Sequence, residues 1–126
     1  MEKQVVRTHK APQPLGPYSQ GVRAGNFVFV SAQAPIDPNT GKVVGTDIES
    51  QTRQVLENIR SILETASLTL SNIVRTTVFV RNAADFKGMN DVYGSYFSEN
   101  PPARTTVEAR LPSPDMLVTI DAIACS

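Results

Sequence analysis

Residues 101–108 contain the main candidate for binding a small acid. Two prolines open this extended stretch, and the alternation of side chains places Arg104, Thr106 and Glu108 on one face and Thr105 on the other. A guanidinium held just after two prolines presents a planar fork that matches a carboxylate through two parallel hydrogen bonds. Periodicity alone favours the simpler interpretation, in which Arg104 is a solvated strand arginine.

Asp121 is the second candidate, because it stands within an apolar run, residues 116–124, where the pattern predicts a hydrophobic side chain. A carboxylate buried in such a strand needs hydrogen-bond partners. The alternative is that Asp121 faces solvent on the polar side of the strand together with Thr119. The sequence leaves both interpretations open.

Metal and thiol chemistry have little support in the composition. The chain has one histidine, His9, and one cysteine, Cys125, so no zinc-type cluster and no internal disulfide is expected. The place of Cys125 next to the C-terminus argues against a catalytic thiol. Any catalysis is therefore expected to be metal-free.

Charge and length exclude several classes of protein. Twelve Lys and Arg balance twelve Asp and Glu, so no basic surface for nucleic acid or an anionic membrane is expected. No stretch approaches the roughly 20 apolar residues of a membrane span, and the N-terminus lacks the apolar segment of a signal peptide. We expect one soluble, cytoplasmic domain over residues 1–126.

The first half of the chain predicts a short strand, a β-hairpin and a helix. After a β-prone run at residues 4–8 and a proline-rich connector, strands at 18–24 and 27–31 flank the two-residue turn Gly25-Asn26. A capping box at 46–49 and an apolar stripe predict a helix over about 47–65. The hairpin strand is apolar on both faces at residues 27–30, so both faces should be covered.

The second half predicts a strand at 73–80, a second helix, the strand at 101–108 and the last strand at 116–124. Asn82 is the expected cap of the second helix, whose apolar stripe ends before Pro101. Asn90 lies off that stripe and is expected to be a solvated side chain. The result is an α+β domain with a mixed sheet and two helices, which can cover only one sheet face, so the other face should be buried by copies of the chain.

In this order the segments resemble the Rid family, also called YjgF. The matching stretches are GPYSQ at 16–20, FVFVSAQ at 27–33, QVLENI at 54–59, VRTTVFV at 74–80, DF at 85–86 with NDVY at 90–93, PAR at 102–104 and DAIA at 121–124. The resemblance implies a chorismate-mutase-like fold and a homotrimer with sites between subunits. It also implies cofactor-free hydrolysis of enamine and imine acids, such as 2-aminoacrylate or 2-aminocrotonate, to 2-keto acids and ammonia.

The resemblance assigns roles to individual residues. Arg104 matches the arginine that clamps the substrate carboxylate, and Asp121 the acid that orients water. Tyr18, Ser31 and Asn90 match residues of the substrate cleft. Binding is also expected from the remaining positions of the cleft, which are Ala32, Thr105 and Thr106.

Three positions depart from the deaminase pattern, which usually has Gly at Ala32, often Cys at Thr106 and Glu at Asp121. The shorter Asp121 would move an oriented water by about 1 Å, which costs roughly a hundredfold in rate where geometry is strict. Thr106 keeps a hydroxyl, and Ala32 adds a methyl group. Two alternatives remain: a non-enzymatic regulatory trimer that binds 2-keto acids, and a ribonuclease or translation inhibitor, against which the neutral charge counts.

Overall fold

The protein, in a computed structural model that describes residues 2–126, is built on one mixed six-stranded sheet. The strands are β1 Lys3–Val6, β2 Gly21–Ala24, β3 Phe27–Gln33, β4 Ile73–Val80, β5 Ala103–Glu108 and β6 Val118–Cys125. Their spatial order is β1-β2-β3-β6-β4-β5, and all neighbours are antiparallel except β4 and β5. This confirms the predicted order of elements, with β5 as an edge strand.

Two helices, α1 Ile48–Thr65 and α2 Phe86–Tyr96, pack on one face of this sheet. The predicted stripe of α1 is buried against the sheet throughout, at Ile48, Val55, Leu56, Ile59, Ile62, Leu63 and Ala66. The cap is one residue later than the capping box predicted, because the carboxylate of Asp47 accepts the Ser50 N–H at 2.8 Å. Hydrogen bonds from the backbone N–H and the side chain of Ser50 lower the pKa of the Asp47 carboxyl.

The start of α2 differs from the prediction. Asn82 precedes a short 3₁₀ turn, Ala83–Asp85, and its side chain makes no capping bond; α2 itself begins at Phe86. Instead, the carboxylate of Glu108 on β5 accepts the Ala83 N–H at 2.7 Å. A side chain from the next strand thus caps this turn, and local sequence signals cannot reveal such a partner.

The hairpin is confirmed, with Gly25 in the left-handed conformation that its tight turn requires. Its first strand is shorter than predicted: Tyr18 to Gln20 lie before β2 in a loop. The last strand is shorter at its start, since β6 begins at Val118. The structure also lengthens β3 to Gln33, with a shift of register against β6 between Val30 and Gln33.

One face of the sheet has no layer over it within the described chain. On β3, Val28 and Val30 are buried under the helices, whereas Phe27 and Phe29 point the other way and are each 44% exposed. We call the face that carries Phe27 and Phe29 the open face. The predicted burial of both faces of β3 concerns an assembly of several copies of the chain, so it stays a prediction. Among residues 2–126, no helix combines the length and apolarity of a bilayer span.

Candidate active site

Arg104 lies on edge strand β5 and points to the helix side of the sheet. Its guanidinium carbon is 4.8 Å from the ring centroid of Tyr93, and Nη1 is 3.9 Å from the sulfur of Met89. Both partners come from α2, which connects β4 to β5. The predicted alternation therefore holds, and the arginine is less free than a solvated strand residue because a helix supports one side of it.

Tyr93 is itself fixed in place. Its hydroxyl shares a 2.7 Å hydrogen bond with the hydroxyl of Thr76, which is fully buried on β4 and is the register partner of Arg104. The ring packs on Phe97 with centroids 4.7 Å apart, and only 5% of the residue is exposed. Burial raises the pKa of Tyr93, so its hydroxyl stays protonated at neutral pH.

Two further predicted site residues lie on the helix side with Arg104. Thr106 is two residues along β5, faces the same side and is half-buried. Asn90 follows Met89 on α2 and is exposed, as expected from its position off the apolar stripe. The helix-side group is therefore Arg104, Thr106 and Asn90. Met89 and Tyr93 contact Arg104 within it.

A second group of predicted residues meets on the open face. Tyr18, Ser31, Ala32 and Asp121 line one cavity of about 570 Å³. The rest of its lining is mostly apolar and consists of Val22, Phe29, Val30, Ala122 and Ile123. Polar groups are therefore few within a mostly apolar lining, as in many sites for small molecules.

The position of Ser31 and Ala32 follows from the irregular end of β3. They lie in the segment where the pairing with β6 shifts register, and such irregularities re-aim side chains. Ser31 is tied to the preceding loop, because its N–H donates to Gln20 O at 2.9 Å and its hydroxyl to Ser19 O at 2.6 Å. Tyr18 begins the same loop and is half exposed.

The loop that carries Tyr18 is held by the buried side chain of Gln20. Its amide nitrogen donates to the carbonyls of Thr8, Ala11 and Pro12, and its oxygen accepts the Thr8 N–H at 2.7 Å. A single amide thus satisfies the backbone of the proline-rich connector, which has no sheet partner. No local sequence signal indicates this role, which depends on a contact between distant segments.

Asp121 is half-buried on the open face of β6, on the same side as Thr119. Its carboxylate accepts the backbone N–H of Thr77 at 3.2 Å. Asp121 therefore shares a face with Thr119, as the second interpretation expected, but neither residue faces open solvent, because Thr119 is buried and Asp121 is half-buried in a largely apolar cavity. Thr105 also faces this side, where its hydroxyl accepts a 2.6 Å bond from Arg75.

The predicted site residues thus form two groups on opposite faces of one subunit. Arg104, Thr106 and Asn90 lie on the helix side, while Tyr18, Ser31, Ala32, Thr105 and Asp121 lie on the open face. Strand β4 stands between β5 and β6. Neighbouring strands are about 4.8 Å apart, and a small ligand cannot pass through a paired sheet to touch both groups.

Comparisons with known proteins give one consistent result. The family model described as Endoribonuclease L-PSP matches residues 8–126. A RutC family protein of Pyrococcus horikoshii is 53% identical over 97% of both chains. Reactive Intermediate Deaminase A of Arabidopsis thaliana, a chloroplastic protein, is 41% identical over 98% of this chain and 66% of its own. The crystal structure of the YjgF gene product of Escherichia coli superposes with a TM-score of 0.90 at 43% identity, covering 97% of this chain and 98% of that one.

Proposed function

The chain belongs to the Endoribonuclease L-PSP family, also called the YjgF or Rid family, and on this basis we propose that it hydrolyses reactive 2-enamine and 2-imine acids. The products are a 2-keto acid and ammonia. Candidate substrates are small, such as 2-aminoacrylate and 2-aminocrotonate. The named deaminase of Arabidopsis thaliana supports this activity over other chemistry in the family.

Arg104 is the observation that carries the proposal. Its guanidinium rests on the Tyr93 ring and the Met89 sulfur, and within residues 2–126 no carboxylate lies within ion-pair distance of it. Glu108, the acid on the same face of β5, is engaged with the N–H of Ala83. The planar fork is therefore available to a ligand carboxylate in a two-bond arrangement.

The site is completed by a second subunit in this proposal. Arg104 and Asp121 face away from each other, so a ligand can reach both only where the helix-side edge of one subunit meets the open face of another. Three copies arranged head to tail make a closed homotrimer with equivalent sites. The exposed rings of Phe27 and Phe29 support such an assembly, because apolar residues on an open sheet face favour burial.

Hydrolysis then needs orientation more than strong bases. Arg104 binds the carboxylate, and the enamine gains a proton at carbon and loses one from nitrogen to become the imine. Water attacks the C=N carbon and gives one proton to the nitrogen, which forms a carbinolamine. The remaining hydroxyl proton then passes to the nitrogen as the C–N bond breaks, which releases ammonia and leaves the keto group. Asp121 accepts a hydrogen bond from the attacking water while Thr77 N–H holds the carboxylate in place. Asn90 and Thr106 line the ligand beside Arg104.

The site residues also favour one alternative, a trimer that binds 2-keto acids without turnover. Binding needs Arg104 alone, whereas hydrolysis also depends on Asp121, whose side chain is one methylene shorter than the family's usual Glu. A shift of about 1 Å in the water could cost roughly a hundredfold in rate. Ribonuclease activity is less supported, because the net charge of zero offers no attraction for phosphates.

The decisive experiment is release of ammonia and keto acid from freshly generated 2-aminoacrylate. Three parallel reactions contain the wild-type protein, the Arg104→Ala variant or no protein. Acceleration by the wild-type protein alone supports the enzyme. Keto-acid binding by calorimetry without acceleration assigns the regulatory alternative, and absence of both refutes the proposal.

A further inference from the structure

We propose that Tyr93 is a positioning residue that acts through Arg104, holding the guanidinium plane in the orientation that receives the ligand. The inference rests on the proposed function in one respect, namely that Arg104 binds the carboxylate. Tyr93 itself is buried and is not expected to touch the ligand. Its role is to fix the direction of a long, flexible side chain.

Tyr93 is buried and anchored by its neighbours, while Arg104 is exposed. Thr76 anchors the tyrosine hydroxyl and Phe97 packs on the ring, so the ring offers a fixed surface to the guanidinium at 4.8 Å. Arginine has many rotamers, and each must be given up when it binds a ligand in one geometry. A support present before binding removes part of that cost.

An aromatic ring supports Arg104 without neutralising it. A carboxylate partner would also hold the side chain, but it would occupy the N–H groups and cancel the charge. The face of an aromatic ring attracts the cation and leaves its charge available to a ligand carboxylate. In the described part of the chain, the contact with the Tyr93 ring and a long contact to the Met89 sulfur are the interactions that Arg104 makes.

The strand register links Arg104 to the residue that anchors Tyr93. Thr76, which anchors Tyr93, is the cross-strand partner of Arg104 in the parallel pair of β4 and β5. The backbone of Arg104 and that of Thr76, which holds the Tyr93 hydroxyl, therefore pair directly across the two strands. A shift of β5 by one residue would turn Arg104 to the open face, away from Tyr93.

The test replaces the ring and follows Arg104 directly. Side-chain Nε–H relaxation in the ligand-free trimer reports the order of the guanidinium, and calorimetry reports the Kd for 2-ketobutyrate. Tyr93→Leu should lower the order of Arg104 and weaken binding by about 5- to 30-fold, the range of a desolvated cation–π contact. Tyr93→Phe keeps the ring, so it should retain most of the order of Arg104 and most of the affinity for 2-ketobutyrate.

The matched control is Tyr96→Leu on the same helix. Tyr96 lies under a different arginine, with the Arg60 guanidinium carbon 5.4 Å from its ring centroid. This variant should loosen Arg60 and leave Arg104 and the Kd unchanged. A purely structural effect of losing a tyrosine from α2 would instead appear in both variants.

A second series keeps the test valid should Tyr93→Leu not fold. Phenylalanine analogues with increasing fluorination at position 93 keep the shape of the ring and weaken its attraction for a cation. Order of Arg104 and affinity should fall stepwise with fluorination. An Arg104 that is equally ordered with every ring overturns the proposal.

The double variant separates this inference from the proposed function. In an Arg104→Ala background, Tyr93→Leu should cause no further loss of 2-ketobutyrate binding, and an additional loss refutes action through Arg104. Should the wild-type protein neither bind the keto acid nor release ammonia, the proposed function fails. The relaxation of Arg104 in the free protein then decides the positioning role alone.

Discussion

Arg104 and Asp121 pair in register with adjacent residues of one strand, yet they face opposite sides of the sheet. Arg104 lies beside Thr76 and Asp121 beside Thr77 on β4. Successive residues of a strand point to opposite faces, so this one-residue offset places the two proposed functional groups on different surfaces.

Arg104→Lys should impair hydrolysis nearly as much as Arg104→Ala. Lysine keeps the charge but cannot form two parallel hydrogen bonds to a planar carboxylate, and it lacks the guanidinium group that lies over the Tyr93 ring. Loss of a desolvated charge pair costs about 2 to 5 kcal/mol, so kcat/KM should fall roughly thirtyfold to several thousandfold. Steady-state kinetics on 2-aminoacrylate measures this. Arg110→Lys, an exposed arginine just beyond β5, is the control and should behave as wild type.

Asp121→Asn should reduce turnover more than affinity. The amide oxygen can still accept the Thr77 N–H, so the strand pairing survives while the charge that attracts the water's proton is lost. We expect kcat to fall about a hundredfold or more with KM nearly unchanged. An unchanged kcat with a raised KM would assign Asp121 to substrate binding.

Phe27→Glu should dissociate the proposed trimer without unfolding the subunit. The ring is already 44% exposed in a single chain, so its loss removes little from the core, whereas a charge on the open face opposes association. Light scattering should give about 13.7 kDa for the variant and about three times that mass for the wild type. Asn39→Glu adds the same charge in an exposed loop and should leave the trimer intact. A monomeric wild type would refute the assembly.

Stability at high pH should depend on Tyr96. Burial, followed by the hydrogen bond to the Glu57 carboxylate at 2.7 Å, raises the pKa of Tyr96 to about 12. A folded-state pKa above the unfolded value of about 10 means that the neutral phenol stabilises the fold below pH 10. That contribution should be lost as pH rises from about 10 to about 12.

Urea unfolding of the wild type and Tyr96→Phe at pH 9 and pH 11 provides the measurement. The stability advantage of the wild type over Tyr96→Phe should shrink at the higher pH. Glu57→Gln removes the charge next to the phenol, so phenolate absorbance should show a lower pKa for Tyr96 in that variant. An advantage that is equal at both pH values would contradict the proposed coupling.

Local periodicity was enough to predict the order of elements. The stripe of α1 and the alternation along β5 are repeated over many residues, so an error at one position does not change the result. Signals that rest on one residue were less accurate: the cap of α1 is Asp47 instead of Thr46, and Glu108 replaces Asn82 at the turn before α2.

Local sequence patterns could not predict that the site residues divide into two groups on opposite faces of the sheet. Alternation predicts which residues of β5 share a face, but whether that face is the helix side depends on the parallel pairing with β4. The same holds for Tyr93, which packs in the core. Its contact with Arg104 is created only when the β4–α2–β5 crossover closes.

The opposed faces of Arg104 and Asp121 have a genetic consequence. In a head-to-tail ring each site takes Arg104 from one subunit and Asp121 from the next, so Arg104→Ala and Asp121→Asn damage different halves of a site. Any mixed ring of the two inactive subunits then contains one junction where an intact Arg104 meets an intact Asp121. Random assembly of the two subunits in equal amounts makes about three quarters of the rings mixed, so two null alleles expressed together should complement each other and restore up to about a quarter of the wild-type activity.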